Sequence, residues 1–458
     1  MTVVILAAGQ GTRMRSDLPK VLHEVGGRPM VEHVLEATRS LSPSAIRLVV
    51  GHGAERVRER VEAPDVTLVE QPEQRGTGHA VQCAGSDFSD ADWVLVLNGD
   101  VPLLRGSTLA QWTEALEAAD HDLGILTTHP EDPTGYGRIL RDDRGRVTGI
   151  REEKDAGPEE RSIGEVFTGT LAVRGERLGP WLEALTADNA QGEYYLTDVV
   201  GMAAGARGVL AHRVADPGEV QGVNNRSHLA IVEHSYQRRI AEALMAEGVT
   251  LRAPERTVVY GQVVPAPDVV VDPDCQFEGE VVLEAGAHIG PGCVLRNCRI
   301  GAGARLEAYS HVDGAAVGPG ASVGPFARLR PDTILEQGSK VGNFVEVKKA
   351  RLGAGAKANH LSYVGDAEVG AGANLGAGTI TCNYDGYRKH RTVIGPGAFI
   401  GSAVQLVAPV TVGEAATIGA GSTITKDAPE GALTLSRAKQ FTRHDWKRPE
   451  ERAKEEQE

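Results

Sequence analysis

Two hydrophobic rhythms divide this chain. Over residues 1 to about 225, short β-branched runs (VVIL at 3–6, IRLVV at 46–50, VTLVE at 66–70, WVLVL at 93–97) alternate with longer amphipathic stretches. Strands alternating with helical patterns predict βαβ units around a mostly parallel sheet, hence an α/β domain. From Arg226 to Gly248 the apolar residues Leu229, Val232, Tyr236, Ile240, Ala243 and Leu244 recur at steps of three and four, which predicts one amphipathic helix ended by Gly248. That helix reads as a connector or, equally, as the last helix of the α/β domain.

From residue 249 to 436 the period changes to six. Val317, Val323, Leu329, Leu335, Val341 and Val347 form one uninterrupted series, and Ile394, Ile400, Leu406, Val412, Ile418 and Ile424 another, many of them followed by Gly. A six-residue period matches neither a helix nor a simple strand. It matches a coil with three flat sides and about eighteen residues per turn, with Gly and Ala where stacked corners exclude larger side chains. The pattern resembles the left-handed β-helix of hexapeptide acyltransferases, whose hand is an exception to the right-handed crossover rule. One segment, TCNYDGYRKHRTVIG at 381–395, breaks the period with aromatic and basic residues. Leu375 and Ile394 bracket it at nineteen residues, so the reading is a projecting loop after which the prism resumes almost in register. The charge-dense residues 437–458 read as a solvated tail.

Composition narrows the class. Aromatic residues make up only 4% of the 458 residues and glycine accounts for 56 of them, as a solenoid of small residues requires. Five cysteines without a CxxC pair argue against a disulfide framework or a zinc site and for a reducing, cytoplasmic compartment. The start MTVVILAAG is read as neither leader nor membrane span. A net charge of −14 disfavours nonspecific binding to nucleic acid or membrane surfaces. Phosphate sites must then be local concentrations of cations and backbone N–H groups.

The first candidate site is VVILAAGQGTRM, where Gly9, Gly11 and Thr12 follow the first strand. Glycines at a strand-to-helix turn let N–H groups approach phosphate oxygens, with the helix dipole adding to the attraction. A P-loop would need Gly-Lys-Ser/Thr, and a dinucleotide fingerprint would need a third Gly where Met14 stands. Asp100 follows the run WVLVL, so it lies at the carboxyl end of a strand and is a natural hard-oxygen ligand for Mg²⁺.

The run L-x-x-G-x-G-T-R-M, completed by Pro19 and Lys20, resembles the sugar-1-phosphate nucleotidyltransferases. With EQPEQRGTGHA at 70–80, LNGDVPL at 97–103, DPTGYGRI at 132–139, NAQGEYYLTD at 189–198 and QGVNNR at 221–226, the chain is similar over nearly its whole length to the bifunctional N-acetylglucosamine-1-phosphate uridylyltransferase / glucosamine-1-phosphate N-acetyltransferase family. The resemblance implies an α/β nucleotidyltransferase domain with a Rossmann-like mixed sheet (1–225), a linker helix (226–248), a left-handed parallel β-helix acetyltransferase domain (249–436) and the tail. It also implies that Leu6, Ala7, Ala8, Gly9, Asn98 and Gly99 contact substrate. Asn224 would join Asp100 around Mg²⁺, Arg13 and Lys20 would face the triphosphate and sugar phosphate, Gln71, Gly76 and Thr77 the uracil of UTP, and Gly137 and Glu152 the sugar. His79 is read as structural. One position departs: where the family carries Asn in Glu-Ile/Val-Asn-Thr/Ser-Gly, this chain reads Glu165-Val166-Phe167-Thr168-Gly169. Thr168 is the candidate substitute donor.

Acetylating a sugar amine needs a base, donors for an oxyanion and cations for the phosphate. Arg330 and Lys348, eighteen residues apart, stack on one face as a phosphate site, and His360 in KANHLSY is the candidate base. By resemblance, Tyr363 and Asn374 contact glucosamine-1-phosphate, while Ala377, Asn383, Tyr384, Ser402, Ala420 and Arg437 line the acetyl-CoA side. A homotrimer is implied as well; beyond the resemblance, Lys389 at the far end of the basic loop is read as reaching the phosphate bound by a neighbour's Arg330 and Lys348. The expected reaction sequence is acetylation of glucosamine-1-phosphate, then transfer of UMP from UTP with release of pyrophosphate. Two alternatives are a nucleotidyltransferase of the glucose- or mannose-phosphate type whose β-helix only assembles subunits, and a noncatalytic regulatory subunit. The first leaves His360, Asn383 and Lys348 unexplained, the second Asp100, Arg13 and Lys20.

Overall fold

The computed structural model describes residues 1–61 and 63–455. It falls into two compact units, Met1–Ile240 and Ala241–Glu458.

In the first unit the four predicted runs become strands β1 (Thr2–Ala7), β2 (Ala45–Val50), β3 (Val66–Glu70) and β4 (Trp93–Asn98), followed by β5 (Leu123–Thr128), β6 (Val166–Arg174) and β7 (Val209–Arg213). The sheet order is β7-β5-β6-β4-β1-β2-β3, with β6 antiparallel to both neighbours and the other pairs parallel. Alternation splits β1 between two cores. Val3 and Ile5 pack towards α1 (Met30–Arg39), through Val31, Val34 and Leu35, and towards α3 (Gly106–Ala118), through Leu109 and Trp112. Val4 packs on the other face with Val81 of α2 (Thr77–Ala84) and with Leu178 and Val199. Because β1 lies between β4 and β2, the chain's winding reverses beside it, and the carboxyl ends of β1 and β4 flank the crevice where open α/β sheets bind ligands.

The helix expected after β1 is a single 3₁₀ turn, Thr12–Met14, so the attraction for anions there comes from individual N–H groups and side chains rather than from a helix dipole. Gly11 lies at φ 63°, and a Cβ on it would come within 2.8 Å of Lys20 Cβ. This close approach seats Lys20 against the turn.

The long helix α4 spans Arg226–Ala246, with Leu229, Val232 and Tyr236 against Met14, Val25, Met30 and Leu103. The division between the units falls within it, at 240/241. Gly248, at φ 93°, donates to Met245 O just beyond its end.

The second unit is a left-handed β-helix of hexapeptide repeats. Its three faces are marked by the buried tracks Val323–Val341–Ala358–Leu375–Ile400, Leu329–Val347–Val364 and Leu335–Leu352–Val369–Ile394. Coils stack so closely at the corners that a Cβ on Gly376 would come within 2.6 Å of Gly401 C, which is why glycine follows the aliphatic residue. The basic insertion differs from the expected register. Leu375 stacks on Ile400 and Ile394 on Val369, both twenty-five residues apart, so the loop adds about seven residues to one coil. At its base Tyr384 and Lys389 form an antiparallel bridge. Residues 437–453 are exposed, with a short helix at Pro449–Glu455, and residues 456–458 of the tail lie outside the described residues. Among the described residues no helix is long and apolar enough to cross a membrane.

Candidate active sites

A cavity of about 300 Å³ opens at the ends of β1 and β4. It is lined by the expected Leu6, Ala7, Ala8, Gly9, Lys20, Gln71, Gly76, Thr77, Asn98 and Asp100, and also by Val21, Gln74, Ala80 and Glu193, which sequence reasoning missed. Gln74 Nε2 donates to Ala8 O at 3.0 Å and so pins the turn after β1. Gly99 lies beside them, its N–H donating to Leu6 O.

Lys20 Nζ is ion-paired with Asp100 and lies 3.2 Å from Asn224 Oδ1, which also accepts from Arg13 Nη2 at 3.2 Å. Val223 N donates to Asp100 O, which brings the 221–226 segment to the strand end. Two oxygen donors therefore already converge on one cationic centre. Hard oxygen ligands around a seat that a cation occupies fit a divalent metal of the hard class.

The remaining expected residues of this unit are brought close by the segment 194–197. Gly78 N donates to Tyr194 O, Leu196 N donates to Thr77 Oγ1 at 3.1 Å, and Thr197 Oγ1 donates to Glu152 Oε1 at 3.0 Å. Gly137 adjoins Glu152, whose Oε2 would stand 3.7 Å from a Cβ placed there. Burial pushes the Glu152 carboxyl above its ordinary range, the carboxylates of Asp155 and Asp198 adding to the effect and the Thr197 bond opposing it. Phe167 donates its N–H to Gly137 O and is buried in the core with Ile139, Leu171 and Leu196. Thr168 differs from expectation as a substitute donor, because its buried hydroxyl donates to Leu126 O at 3.0 Å inside the sheet.

In the second unit the register brings Asn343 beside His360, with Oδ1 2.6 Å from His360 Nδ1. The donor at Nδ1 leaves Nε2 of this exposed histidine with its lone pair. Asn343 was missed by sequence reasoning; its only signal is its place one coil below His360. Stacked turns continue upward from His360, with Gly378 N donating to His360 O, Ala403 N to Ala377 O and Gly421 N to Ser402 O. Arg437 Nη1 donates to Ala420 O. Ala377, Ser402, Ala420 and Arg437 thus form one line of mostly small residues along the corner. Below His360 the same corner carries Leu361, Phe344, Phe326 and Tyr309. These three rings stack at 5.3 and 5.4 Å between centroids, and all four side chains are exposed.

On the next face Arg330 and Lys348 are neighbours one coil apart, and Arg330 also pairs with Glu346 at 2.8 Å. Asn383 Nδ2 bonds Asp366 Oδ2 at 2.5 Å and lies 3.3 Å from the Tyr363 hydroxyl. Asn374 stands on the first face, in register with Lys357. In the loop, Lys389 Nζ lies 4.3 Å above the Tyr384 ring. Asp385 is held well below the usual carboxylate range by the Arg388 N–H, His390 and the Tyr387 N–H. Lys389 borders the far corner of the face, with Lys349 and Asp366, whereas His360 sits at the near one.

Family models match along both units. Residues 3–194 match the MobA-like NTP transferase domain, 259–352 the GMPPB C-terminal domain, and 391–426 the six-repeat bacterial transferase hexapeptide. The bifunctional protein GlmU of Alkalilimnicola ehrlichii is 55% identical over 99% of this chain and 97% of its own length. That of Ralstonia nicotianae is 53% identical over 98% of each chain. A solved putative glucose-1-phosphate thymidylyltransferase from Bacillus anthracis, 19% identical, covers 51% of this chain and 94% of its own at a TM-score of 0.41. At over half identity along both units, the chain belongs to the GlmU family of bifunctional enzymes, joining uridylyltransfer and glucosamine-1-phosphate acetylation in UDP-N-acetylglucosamine biosynthesis.

Proposed function

We propose that the cavity of the first unit performs the uridylyltransfer and the His360 corner of the second the acetylation, with Mg²⁺ as the metal. In the first, a phosphate oxygen of N-acetylglucosamine-1-phosphate attacks the α-phosphorus of UTP in line, forming one P–O bond as the bond to pyrophosphate breaks. The observation that carries this assignment is the convergence of Lys20, Asp100 and Asn224 at the mouth of the cavity. Asp100 and Asn224 would hold the cation, which supplies charge neutralisation between the two anions. Arg13 and Lys20 neutralise phosphate charge from the protein side. Gln71, Gly76 and Thr77 receive the uracil, and Gly137 and Glu152 the sugar.

In the second unit, Asn343 holds the His360 ring so that Nε2 takes a proton as the glucosamine-1-phosphate amine attacks the thioester carbonyl. The C–N bond forms, the C–S bond breaks, and coenzyme A leaves as the thiol. Arg330 and Lys348 bind the sugar's phosphate with Tyr363 on the same face, and Asn374, on the first face, contacts the same substrate. Acetyl-CoA lies along Ala377, Ser402, Ala420 and Arg437, where small side chains leave the corner open; Asn383 and Tyr384, at the far corner with Asp366 and Lys389, would reach it from a neighbouring copy.

Hexapeptide repeats suggest oligomerisation, and we read the assembly as a trimer in the cytoplasm. The exposed Tyr309–Phe326–Phe344–Leu361 ladder leading up to His360 supports a neighbouring copy there, since contiguous exposed apolar surface marks contact sites. Supplying UTP, glucosamine-1-phosphate, acetyl-CoA and Mg²⁺ together tests the reading. UDP-N-acetylglucosamine and pyrophosphate should appear in equal amounts, and their absence from folded protein rejects it.

A further inference from the structure

The Gln71 side chain is only 4% exposed as a residue yet borders the cavity, so its two polar atoms cannot be interchangeable. Its Nε2 lies 3.2 Å from Gly76 O and 3.1 Å from His79 Nδ1. A backbone carbonyl only accepts, so an amide oxygen in that place would face another oxygen, and the nitrogen belongs there. With one amide proton on Gly76 O, the other falls to His79 Nδ1. That nitrogen then accepts, which puts the imidazole proton on Nε2, 3.7 Å from Cys83 Sγ one helical turn later. Both Gln71 protons are committed, and Oε1 is the atom left to offer the cavity.

We propose that His79 is a positioning residue for base selection, holding the Gln71 amide in the orientation whose exposed atom accepts from a pyrimidine. The proposal rests on the assignment of Gln71 to the uracil. Uracil presents N3–H to an acceptor, whereas cytosine presents a bare N3 lone pair, which a fixed carbonyl oxygen repels. An amide free to turn over offers cytosine its NH₂ instead. His79 thus adds discrimination against the wrong base, as specific sites do by leaving the competitor's polar groups mispaired. Thymine shares the uracil edge and escapes this filter.

The experiment compares kcat/KM for UTP and CTP, by pyrophosphate release with N-acetylglucosamine-1-phosphate, in the full chain. His79→Phe keeps a ring and His79→Ala removes it; both delete the acceptor. His79→Asn returns an acceptor near the position of Nδ1. Loss of one hydrogen bond should lower the UTP/CTP ratio by several-fold to about tenfold in the Phe and Ala variants, mainly through KM for UTP, and His79→Asn should restore it. If the ratio holds while both nucleotides slow equally, His79 only supports the fold and the proposal is overturned. Should His79→Phe or His79→Ala fail to fold, the folded one of the pair is compared with His79→Asn. If neither folds, His79→Leu, which also lacks the acceptor, takes their place, and an unchanged ratio in whichever of the three folds overturns the proposal. Gln71→Ala separates the premise from the proposal: an unchanged ratio there removes the uracil assignment itself, whereas a lowered ratio beside unaffected His79 variants removes only the role of His79.

Discussion

Phe167 shows how much one side chain can redirect an expectation. At the family's Asn position it packs among Ile139, Leu171 and Leu196, and Thr168 spends its hydroxyl on Leu126. Phe167→Asn should therefore not tighten sugar binding. It places an amide in a hydrophobic core and should cost about 3 kcal/mol of stability, read as a lowered urea midpoint of the first unit; an unchanged midpoint with a lower sugar KM would mean the residue faces the sugar after all. Glu152 carries a second residue-scale expectation. Its folded pKa is raised above the unfolded value by burial, so its contribution to stability is present below the ordinary carboxyl range and lost as pH rises through the raised value. Glu152→Gln should thus be the more stable form at neutral pH. In the parent, sugar KM should fall as pH rises through that value and the carboxylate forms. The Gln variant should show a flat profile over that range.

At the scale of elements, the basic loop was legible as an exception to a strict period, but its length was not. Periodicity located the aliphatic residues without saying which stack, and Leu375 meets Ile400 rather than Ile394. His360 and Lys389 end up at opposite corners of one face, about five residues of strand apart. On the proposed trimer, such separation would let one copy supply His360 and its neighbour Lys389 to the same cleft. His360→Ala and Lys389→Ala proteins should each acetylate poorly. Unfolding, mixing equally and refolding them should return about a quarter of the clefts to wild type at both positions, by random assembly of a ring. Verified mixed oligomers that stay inactive, from two impaired parents, would place both residues within one chain.

The whole molecule joins two units with their own cores, the layered sheet and the aliphatic tracks of the solenoid. Chemistry in one should survive damage in the other: Asp100→Ala should abolish pyrophosphate release and leave thiol release from acetyl-CoA nearly intact, and loss of both in folded protein would contradict the separation. What the sequence by itself determined about this protein is whatever its backbone geometry repeats or locally constrains. The short β-branched runs predict four strands of the sheet and the period of six the coils, while the glycines after β1 and at the corners mark places where a Cβ cannot fit. The motifs named the family because the residues that line the cavity come in short segments at strand ends. The tertiary structure alone decided which distant side chains meet. Lys20 finds Asn224 across 204 residues and Asp100 across 80. Asn343 finds His360 because one coil there takes seventeen residues, and His79 becomes Gln71's partner because a helix begins between them. These pairings depend on loop lengths and register, which side-chain periodicity does not encode, so they appear only when the chain is closed upon itself.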